Sequence, residues 1–297
     1  MQEIVVPAGA SAKKLENFLK KLFPIGYVRK LFRKNGVRLN GRRAKADEPV
    51  RDGDRIRLYI PFEARSAKAA EKSSLPKLVI IYEDDSLLVL NKPAGIAVHE
   101  GKTVLKRDTI EGVIERKYRA SKFRPRLVHR LDKDTSGLLL LAKSESALAE
   151  LATQFETGAS EKEYLCLVAG RLHTNESKID FPLPGRDDTP ARALTRYHVV
   201  KRHDETTLVS VAIETGRLHQ IRLHFAQLGY PVVMDDRHGD FDFNKRFRKR
   251  YGLKRQFLHA TKLTINYRGK SYSWSAPLAE DLAKTLKQVE NGGTSRP

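Results

Sequence analysis

From residue 78 onward the chain repeats short β-rich runs, and this repetition restricts the fold more than any other feature of the sequence. The runs cover residues 78–82, 87–90, 137–142, 164–168 and 208–213. Two helices are predicted among them, one that starts after Ser144 and one that spans residues 218–228. Many strands, few helices and hairpin-length connections favour an α+β domain whose sheet is mixed but mostly antiparallel.

The strand-rich part is preceded by residues 63–77, which read EARSAKAAEKSSLPK and have no apolar period. Such a stretch, rich in Ala, Ser and Lys, predicts a flexible linker. We therefore expect a small domain over residues 1–62, a larger domain over residues 78–290 and a tail over residues 291–297. A length of 297 residues accommodates two such domains, and 40% hydrophobic residues suffice for packed cores.

The composition indicates a polyanionic partner. Lys and Arg number 56 against 36 Asp and Glu, which gives a formal net charge of +20. A surface with this surplus favours binding to nucleic acid or to an anionic membrane. No apolar run approaches the roughly 18 residues that a membrane-spanning helix needs, and the N-terminus lacks the features of a secretory signal. Nucleic acid is therefore the expected partner, and a membrane is not.

Residues 1–65 hold 16 Lys and Arg against 7 Asp and Glu, so this segment carries nearly half of the net positive charge. A first helix is predicted with Ser11 as its N-cap. Its apolar stripe consists of Leu15, Phe18, Leu19 and Leu22. The apolar face of a second short helix consists of Val28, Leu31 and Phe32. Its opposite face carries four cations, Arg29, Lys30, Arg33 and Lys34.

Short strands are predicted after these helices. Asn35-Gly36 ends the second helix, and an Asn40-Gly41 turn joins a strand over residues 37–39 to one that starts at Ala44. Together with the segments GVRLNGRRA and VRDGDRIRL, this arrangement resembles the α-L RNA-binding domain first described in a small-subunit ribosomal protein. The resemblance implies RNA binding through the second helix. The first helix departs from that family, because KLENFL is less basic than usual. A solvated basic helical hairpin without a partner is the alternative.

The segment RLVHRLDKDTSGLLLLAK, residues 126–143, is the first candidate for chemistry. Its polar residues 129–136 lie between apolar runs, so they must occupy the mouth of a core strand. Asp132 is flanked by Arg130 and Lys133, which favour an ionised and fixed carboxylate. The alternative is a loop aspartate that caps its own turn through Thr135 and Ser136.

The segment TGRLHQIRLH, residues 215–224, is the second candidate. Arg222 would lie at the edge of the buried stripe of its helix, and an arginine so close to a core needs a carboxylate partner. His219 and His224 would be about 140° apart on a helix, so they cannot share a metal ion. Cys166 is the only cysteine, which excludes a disulfide scaffold and a thiolate zinc site and indicates a reducing cytoplasm.

Tyr164, in the segment KEYLCLV at residues 162–168, is the third candidate. At the head of a strand it is either a half-buried packing residue or a platform for an unstacked base. The sequence has no GxSxG, GxxxxGK[ST] or GxGxxG motif. Serine hydrolase, phosphate-loop NTPase and Rossmann-type functions therefore lack their motifs.

In this order, the three segments are similar to the RluA family of RNA pseudouridine synthases. The nucleophile motif of that family matches HRLDKDTSG at residues 129–137. Further matches cover residues 80–99, 162–168, 214–236 and 257–263. Within the family, the insert DFDFNKRFRKRYGLKRQ at residues 240–256 points to enzymes that modify large-subunit rRNA. Its cations are expected to contact the RNA backbone, with a solvated basic loop as the alternative; they include Lys245, Arg246, Arg248, Lys249 and Arg250.

The resemblance implies an isomerase that needs no cofactor and no metal. Asp132 would be the essential carboxylate, acting as a nucleophile or as a base that removes the ribose 2′ proton. Arg222 would be its ion-pair partner, and Tyr164 would stack on the uracil. Four further residues are assigned to substrate binding or support: Arg130 in place of the extruded nucleotide or on its phosphate, His129 and Gln220 behind the site, and Leu258 in the pocket wall.

Two other functions are compatible with the same basic surfaces. One is a catalytically silent RNA-binding or ribosome-assembly protein, and the other is a pseudouridine synthase that acts on tRNA. The set of Asp132, Arg222 and Tyr164 argues against a silent binder, because a binder has no use for a carboxylate in a phosphate-binding groove. A monomer without a protein partner is expected.

Overall fold

A computed structural model of the chain describes residues 2–9, 13–23, 25–60, 78–101, 104–185 and 189–292. The chain divides into two compact units, one formed by Met1–Leu75 with Ala97–Lys117 and one by Pro76–Ile96 with Tyr118–Pro297. The sequence-based boundaries had included residues 97–117 in the larger domain. The expected linker at residues 63–77 lies outside the described residues.

The first unit combines short helices with small sheets. Its elements are β1 (Gln2–Val5), β2 (Lys13–Lys14), α1 (Leu15–Leu22), α2 (Ile25–Arg33), β3 (Val37–Leu39), β4 (Arg42–Arg43), β5 (Pro49–Val50), β6 (Arg55–Leu58) and α3 (Ile110–Lys117). One sheet has the strand order β1-β6-β3-β4, and β2 pairs with β5. The core between helices and sheet includes the buried side chains of Leu15, Leu19, Leu31, Ile56 and Leu58.

Helix α1 begins later than predicted. Its N-cap is Lys14, whose side chain makes no capping hydrogen bond, and Ser11 lies outside the described residues. The reason is strand β2, in which Lys14 pairs with Pro49 and keeps the backbone extended up to Leu15. The predicted apolar stripe is buried except at its end, where Leu22 is 40% exposed.

Helix α2 has the predicted division of faces. Val28 and Leu31 are buried. The four cations of the opposite face, Arg29, Lys30, Arg33 and Lys34, are exposed. Asn35 follows with a φ of 51°, a left-handed conformation that ends the helix. The turn at Asn40-Gly41 is also as predicted, although its second strand is Arg42–Arg43 and not a strand from Ala44.

The second unit is built on one long sheet. Its strands are β7 (Val79–Glu83), β8 (Leu87–Lys92), β9 (Arg126–Leu127), β10 (Ser136–Ala142), β11 (Glu161–Ala169), β12 (Glu176–Ile179), β13 (Leu183–Pro184), β14 (Pro190–Ala191), β15 (Thr195–Arg202), β16 (Thr206–Ile213), β17 (Leu258–Tyr267) and β18 (Lys270–Ser275). Its helices are α4 (Glu145–Thr157), α5 (Gln220–Gln227), α6 (Phe241–Tyr251) and α7 (Glu280–Glu290). The order of the long sheet is β12-β15-β16-β11-β17-β10-β8-β7, with β18 on β17 and β9 on β10, while β13 and β14 form a separate two-stranded sheet.

The predicted mixed, antiparallel-rich sheet is confirmed. Neighbouring strands run antiparallel, except that β10 and β17 run parallel through Ser136–His259 and Gly137–Ala260. Helix α4 starts as predicted, because the Ser144 side chain accepts a hydrogen bond from the Ala147 N–H. Helix α5 is shorter than predicted and begins at Gln220, so that Leu218 precedes it and is exposed. Among the described residues, no helix is long and apolar enough to cross a bilayer.

The centre of the sheet positions the segment 128–135, which enters β10 from β9. Gly137 permits this entry, because its φ of 110° is a conformation that L side chains rarely adopt. A Cβ atom there would also lie 2.2 Å from the carbonyl oxygen of Ala260. The absence of a side chain thus allows β10 and β17 to pack side by side.

We expect Gly137→Ala to lower the free energy of unfolding by about 3 kcal/mol, because it adds both backbone strain and a steric clash. Urea unfolding would measure this loss. Gly216→Ala is the matched control, since a Cβ at Gly216 has no neighbour within 4 Å. Equal unfolding midpoints for the two variants would contradict the prediction.

Candidate active site

Asp132 lies in the loop between β9 and β10, with its side chain 19% exposed. Its Oδ2 accepts a hydrogen bond from Nη1 of Arg222 at 2.9 Å. The turn that follows is closed by the backbone carbonyl of Asp132, which accepts from the Thr135 N–H at 3.2 Å. The carboxylate is therefore directed at the arginine and is not used to cap its own turn.

Arg222 joins two carboxylates. Its Nε and Nη2 donate to Asp235 Oδ2 and Oδ1 at 2.6 and 2.7 Å, while Nη1 donates to Asp132. The side chain is only 6% exposed. Burial alone would lower the pKa of the guanidinium, but the bonds to Asp235 and Asp132 raise it, so the group stays charged. The sequence predicted one carboxylate partner, and the structure provides a second.

Asp235 was not identified from the sequence. Its side chain is fully buried, and Oδ1 also accepts from the backbone N–H groups of Arg237 and His238 at 2.9 Å. Burial opposes ionisation, but the bonds from Arg222 and these amides hold the pKa of Asp235 below its ordinary value. The available signal was its position, an acid directly after the apolar run PVVM.

Tyr164 is buried in β11, directly after a register shift between Glu163 and Tyr164. Such a bulge redirects side chains along a strand. Burial, with a smaller contribution from the Asp132 charge, raises the pKa of Tyr164, so the hydroxyl stays protonated beside the carboxylate. The structure thus brings together Asp132, Arg222 and Tyr164. Leu258 is buried at the start of β17, paired with Cys166 of β11.

The residues that were predicted to support the site lie in different parts of the structure. Gln220 is buried; its Oε1 accepts from the Thr215 hydroxyl and the Arg217 N–H, and its Nε2 donates to the Leu194 carbonyl. It therefore fixes the loop that leads into α5. Arg130 is exposed.

His129 faces away from the carboxylate. Its Nε2 accepts from the Leu140 N–H at 3.0 Å, and its ring stacks on Phe155 of α4 at 4.6 Å. The orientation follows from Phe155, which offers a flat apolar partner on the α4 side of β10. His129 therefore supports strand β10.

The basic insert is a helix and not a loop. Asp240 caps α6 by accepting from the Phe243 N–H, and Gly252 ends it with a φ of 75°. Phe243 and Phe247, one turn apart, are buried. The cations Lys245, Arg246, Arg248, Lys249 and Arg250 are exposed. The helix was not predicted because the many charged residues around Phe243 and Phe247 obscured their helical spacing in the sequence.

Arg255, at the end of the insert, faces inward. It forms a bidentate ion pair with Asp281 at 2.7 and 2.8 Å. Its remaining donors reach the Asp134 carbonyl at 3.0 Å and the Ser136 hydroxyl at 3.1 Å. It therefore holds the segment that carries Asp132.

Lys92 is a second support that sequence reasoning missed. It is fully buried, and its Nζ donates to the carbonyls of Pro93, Ile96 and Lys133 at 2.9–3.0 Å. Burial lowers the pKa of Lys92 to about 7. The side chain ties the loop after β8 to the residue next to Asp132.

His219 also lies beside the carboxylate, with its Nε2 3.8 Å from Asp132 Oδ1. Its Nδ1 is 3.0 Å from Nε2 of His238, and its φ of 57° is left-handed. His224 lies elsewhere, between the Thr195 hydroxyl and the Phe181 carbonyl. Within the part of the chain that the structure describes, no three His, Cys, Asp or Glu side chains are grouped as metal ligands.

Residues 86–227 match the family model for RNA pseudouridylate synthase. The ribosomal large subunit pseudouridine synthase C of Escherichia coli (strain K12) is 36% identical over 312 residues, covering 97% of this chain and 96% of that protein. The chain belongs to the RNA pseudouridylate synthase family. The enzyme of the same name from Vibrio vulnificus (strain CMCP6) is 34% identical over 308 residues, with the same coverage.

Solved structures support the fold of this pseudouridine synthase. Human RNA pseudouridylate synthase domain containing 1 gives a TM-score of 0.59 and covers 76% of this chain and 98% of its own. Human RNA pseudouridylate synthase domain containing 4 gives 0.62 and covers 71% and 93%. Both are 22% identical to this chain. The protein is thus an isomerase with the mixed α/β pseudouridine synthase fold.

We expect His129→Gln to weaken the pH dependence of stability. Burial lowers the pKa of folded His129 to about 3, against 6.5 for an ordinary imidazole. Between these values the unfolded chain binds a proton that the native state excludes, so stability is lost as the pH falls from 6.5. Glutamine does not titrate and can still accept from the Leu140 N–H.

Denaturant unfolding at a series of pH values would test this. Buried His259, with its pKa lowered to about 4, acts in the same direction and remains in the variant. The dependence should therefore shrink without vanishing. A variant with the full wild-type dependence would assign the effect to other groups.

Proposed function

We propose that this enzyme isomerises uridines of large-subunit rRNA to pseudouridine, with Asp132 as the essential carboxylate. The observation that carries the proposal is the ion pair between Asp132 and buried Arg222 at 2.9 Å, in a chain that is 36% identical to ribosomal large subunit pseudouridine synthase C. The proposal includes a cytoplasmic setting and a monomer, as expected from the sequence.

The reaction explains why these residues suit the site. Uracil is detached from its ribose at nitrogen, turned and rejoined through carbon, so nothing is oxidised and no group is lost. The chain must supply an ionised carboxylate at the anomeric carbon. Arg222 fixes one oxygen of Asp132 by a hydrogen bond, while partial exposure leaves the carboxylate accessible to substrate. Asp132 acts either as the nucleophile or as the base at the ribose 2′ position.

The base must leave its stack to reach Asp132. Tyr164 offers an uncharged aromatic ring for stacking, because the raised pKa keeps its hydroxyl protonated. Arg130 is exposed near Asp132 in sequence and is available to replace the extruded nucleotide or to bind its phosphate. These contacts would offset the few kcal/mol that unstacking costs.

Affinity would come from phosphate contacts by two basic surfaces. One is the exposed face of α6, and the other is the exposed face of α2. We propose that residues 1–62 form an α-L RNA-binding domain, which the burial of Val28 and Leu31 opposite four exposed cations supports. Contacts of this kind provide affinity without selecting a sequence, so the choice of uridine would depend on RNA shape.

We expect Asp132→Asn to abolish conversion while RNA binding persists, because an amide of the same shape replaces the carboxylate. Large-subunit rRNA incubated with pure protein would be derivatised and scanned for reverse-transcription stops, since pseudouridine and uridine have equal mass. Stops formed by the wild type and missing with Asp132→Asn are the expected result. Retained turnover in the variant would remove Asp132 from its proposed role.

The same assay separates the alternative functions. Stops on tRNA and none on rRNA would keep the reaction and overturn the substrate. Tight, salt-sensitive binding without stops on either RNA would indicate a silent RNA-binding protein.

Neutralising either basic surface should reduce the salt dependence of RNA binding. We expect the slope of log K against log salt to fall by roughly 0.7 for each phosphate that the variant no longer neutralises. One variant carries Gln at the α6 cations Lys245, Arg246, Arg248, Lys249 and Arg250. A second carries Gln at the α2 cations Arg29, Lys30, Arg33 and Lys34. The control carries Gln at four exposed cations of other strands and turns, Lys201, Lys262, Arg268 and Lys270. Equal slopes in all three would contradict the assignment.

A further inference from the structure

The basic helix α6 reaches the active site through one buried side chain, Asn244. It is 7% exposed. Its Oδ1 accepts from the Met234 N–H at 2.7 Å, and its Nδ2 donates to the Asp235 carbonyl at 2.9 Å. The side-chain amide of Asn244 therefore binds the backbone on both sides of the peptide bond that joins Met234 to Asp235. Asp235 is the residue whose carboxylate holds Arg222.

The backbone around this contact is constrained. Met234 has a φ of 62°, a left-handed conformation that a residue with a side chain adopts only when its surroundings enforce it. At Gly239 an added Cβ would lie 2.3 Å from the Asp235 carbonyl oxygen and 2.7 Å from Asn244 Nδ2. The Asp235 carbonyl, the Asn244 amide and Gly239 are thus packed without spare room.

The contacts continue to the reacting carboxylate in three steps. Asn244 fixes the backbone of Asp235, Asp235 binds Arg222 at 2.6 and 2.7 Å, and Arg222 binds Asp132 at 2.9 Å. The guanidinium group is rigid and planar. If the nitrogens bonded to Asp235 are displaced, the nitrogen bonded to Asp132 therefore moves with them. A shift of the Asp235 backbone would therefore turn Arg222 and move the oxygen of Asp132.

We propose that Asn244 is a positioning residue for pseudouridine formation, which sets the Arg222–Asp132 pair from the helix that carries the RNA-facing cations. The proposal rests on the function proposed above. Opposite faces of α6 then serve one purpose, because Arg246 and Lys249 are exposed to solvent while Asn244 is buried against Asp235. RNA held on α6 steadies the same helix that orders the catalytic pair.

The main test is Asn244→Ala under single-turnover conditions with saturating enzyme. We expect the rate of conversion to fall about 10- to 100-fold, as displacements of about 1 Å do in other enzymes. The dissociation constant for the RNA should stay at the wild-type value. A wild-type rate, or a loss of affinity with an unchanged rate, would overturn the proposal.

Thr207→Ala is the matched control for reduced stability. Thr207 is also buried, accepts from the Leu172 N–H at 3.1 Å and donates to the Gly170 carbonyl at 2.8 Å. Its removal breaks the same kinds of bond at a loop without catalytic residues. It should lower the melting temperature and keep the wild-type rate. An equal loss of rate in both variants would overturn the proposal in favour of general destabilisation.

Gly239→Ala would disturb the same contact, between Asn244 and the Asp235 carbonyl, by adding a methyl group next to it. If Asn244→Ala fails to fold, this variant carries the test, and it should show the same slower rate with unchanged affinity. A wild-type rate in Gly239→Ala, with the protein folded, would count against the proposal.

A readout without RNA separates this inference from the proposed function. The Nε–H of Arg222 is buried against Asp235 and should give a slowly exchanging ¹H–¹⁵N signal, assigned by its loss in Arg222→Lys. We expect Asn244→Ala to broaden or shift this signal and Thr207→Ala to preserve it. If the wild type modified neither rRNA nor tRNA, the proposed function would fail, and an unchanged Arg222 signal in Asn244→Ala would overturn the positioning role independently.

Discussion

The buried charge of Arg222 is the constraint on which the active site depends. A guanidinium that is 6% exposed is stable only if its donors are bonded, and two carboxylates accept from its Nε, Nη1 and Nη2. Asp235 is fully buried and is closed to a substrate. Asp132 is partly exposed and serves both the arginine and, in the proposed reaction, the ribose. The division follows from burial, because only the accessible carboxylate can meet a substrate.

Polar groups hold the loops around this pair. Lys92 bonds the carbonyl of Lys133, Arg255 that of Asp134, and Asn244 that of Asp235. Each donor comes from a different segment of the second unit. This support allows His219 and Met234 to keep left-handed backbone conformations beside the site, which isolated residues of these types would leave.

The features that could be predicted from the sequence are those that local residue patterns determine. Asp132 and Arg222 lie in motifs whose burial pattern implies an ion pair, and the antiparallel sheet follows from the β-rich runs. Asp235 was not predicted as a site residue, because its position beside Arg222 depends on the left-handed backbone conformation of Met234. The direction of His129 depends on Phe155 in a separate helix. Helix α6 was not predicted, because its many cations obscured the spacing of Phe243 and Phe247, and the start of α1 depended on strand β2.

In the proposed reaction, the paired carboxylates would also favour one part of an RNA over another. One guanidinium offsets only one of the two charges, so Arg222, Asp132 and Asp235 together form a small anionic spot on a protein whose net charge is +20. Cationic surroundings attract the sugar–phosphate backbone, whereas the spot itself repels a phosphate. Uracil and ribose carry no charge and meet no such barrier. In the proposed reaction, electrostatics would therefore keep the phosphate at the rim and admit the glycosidic bond.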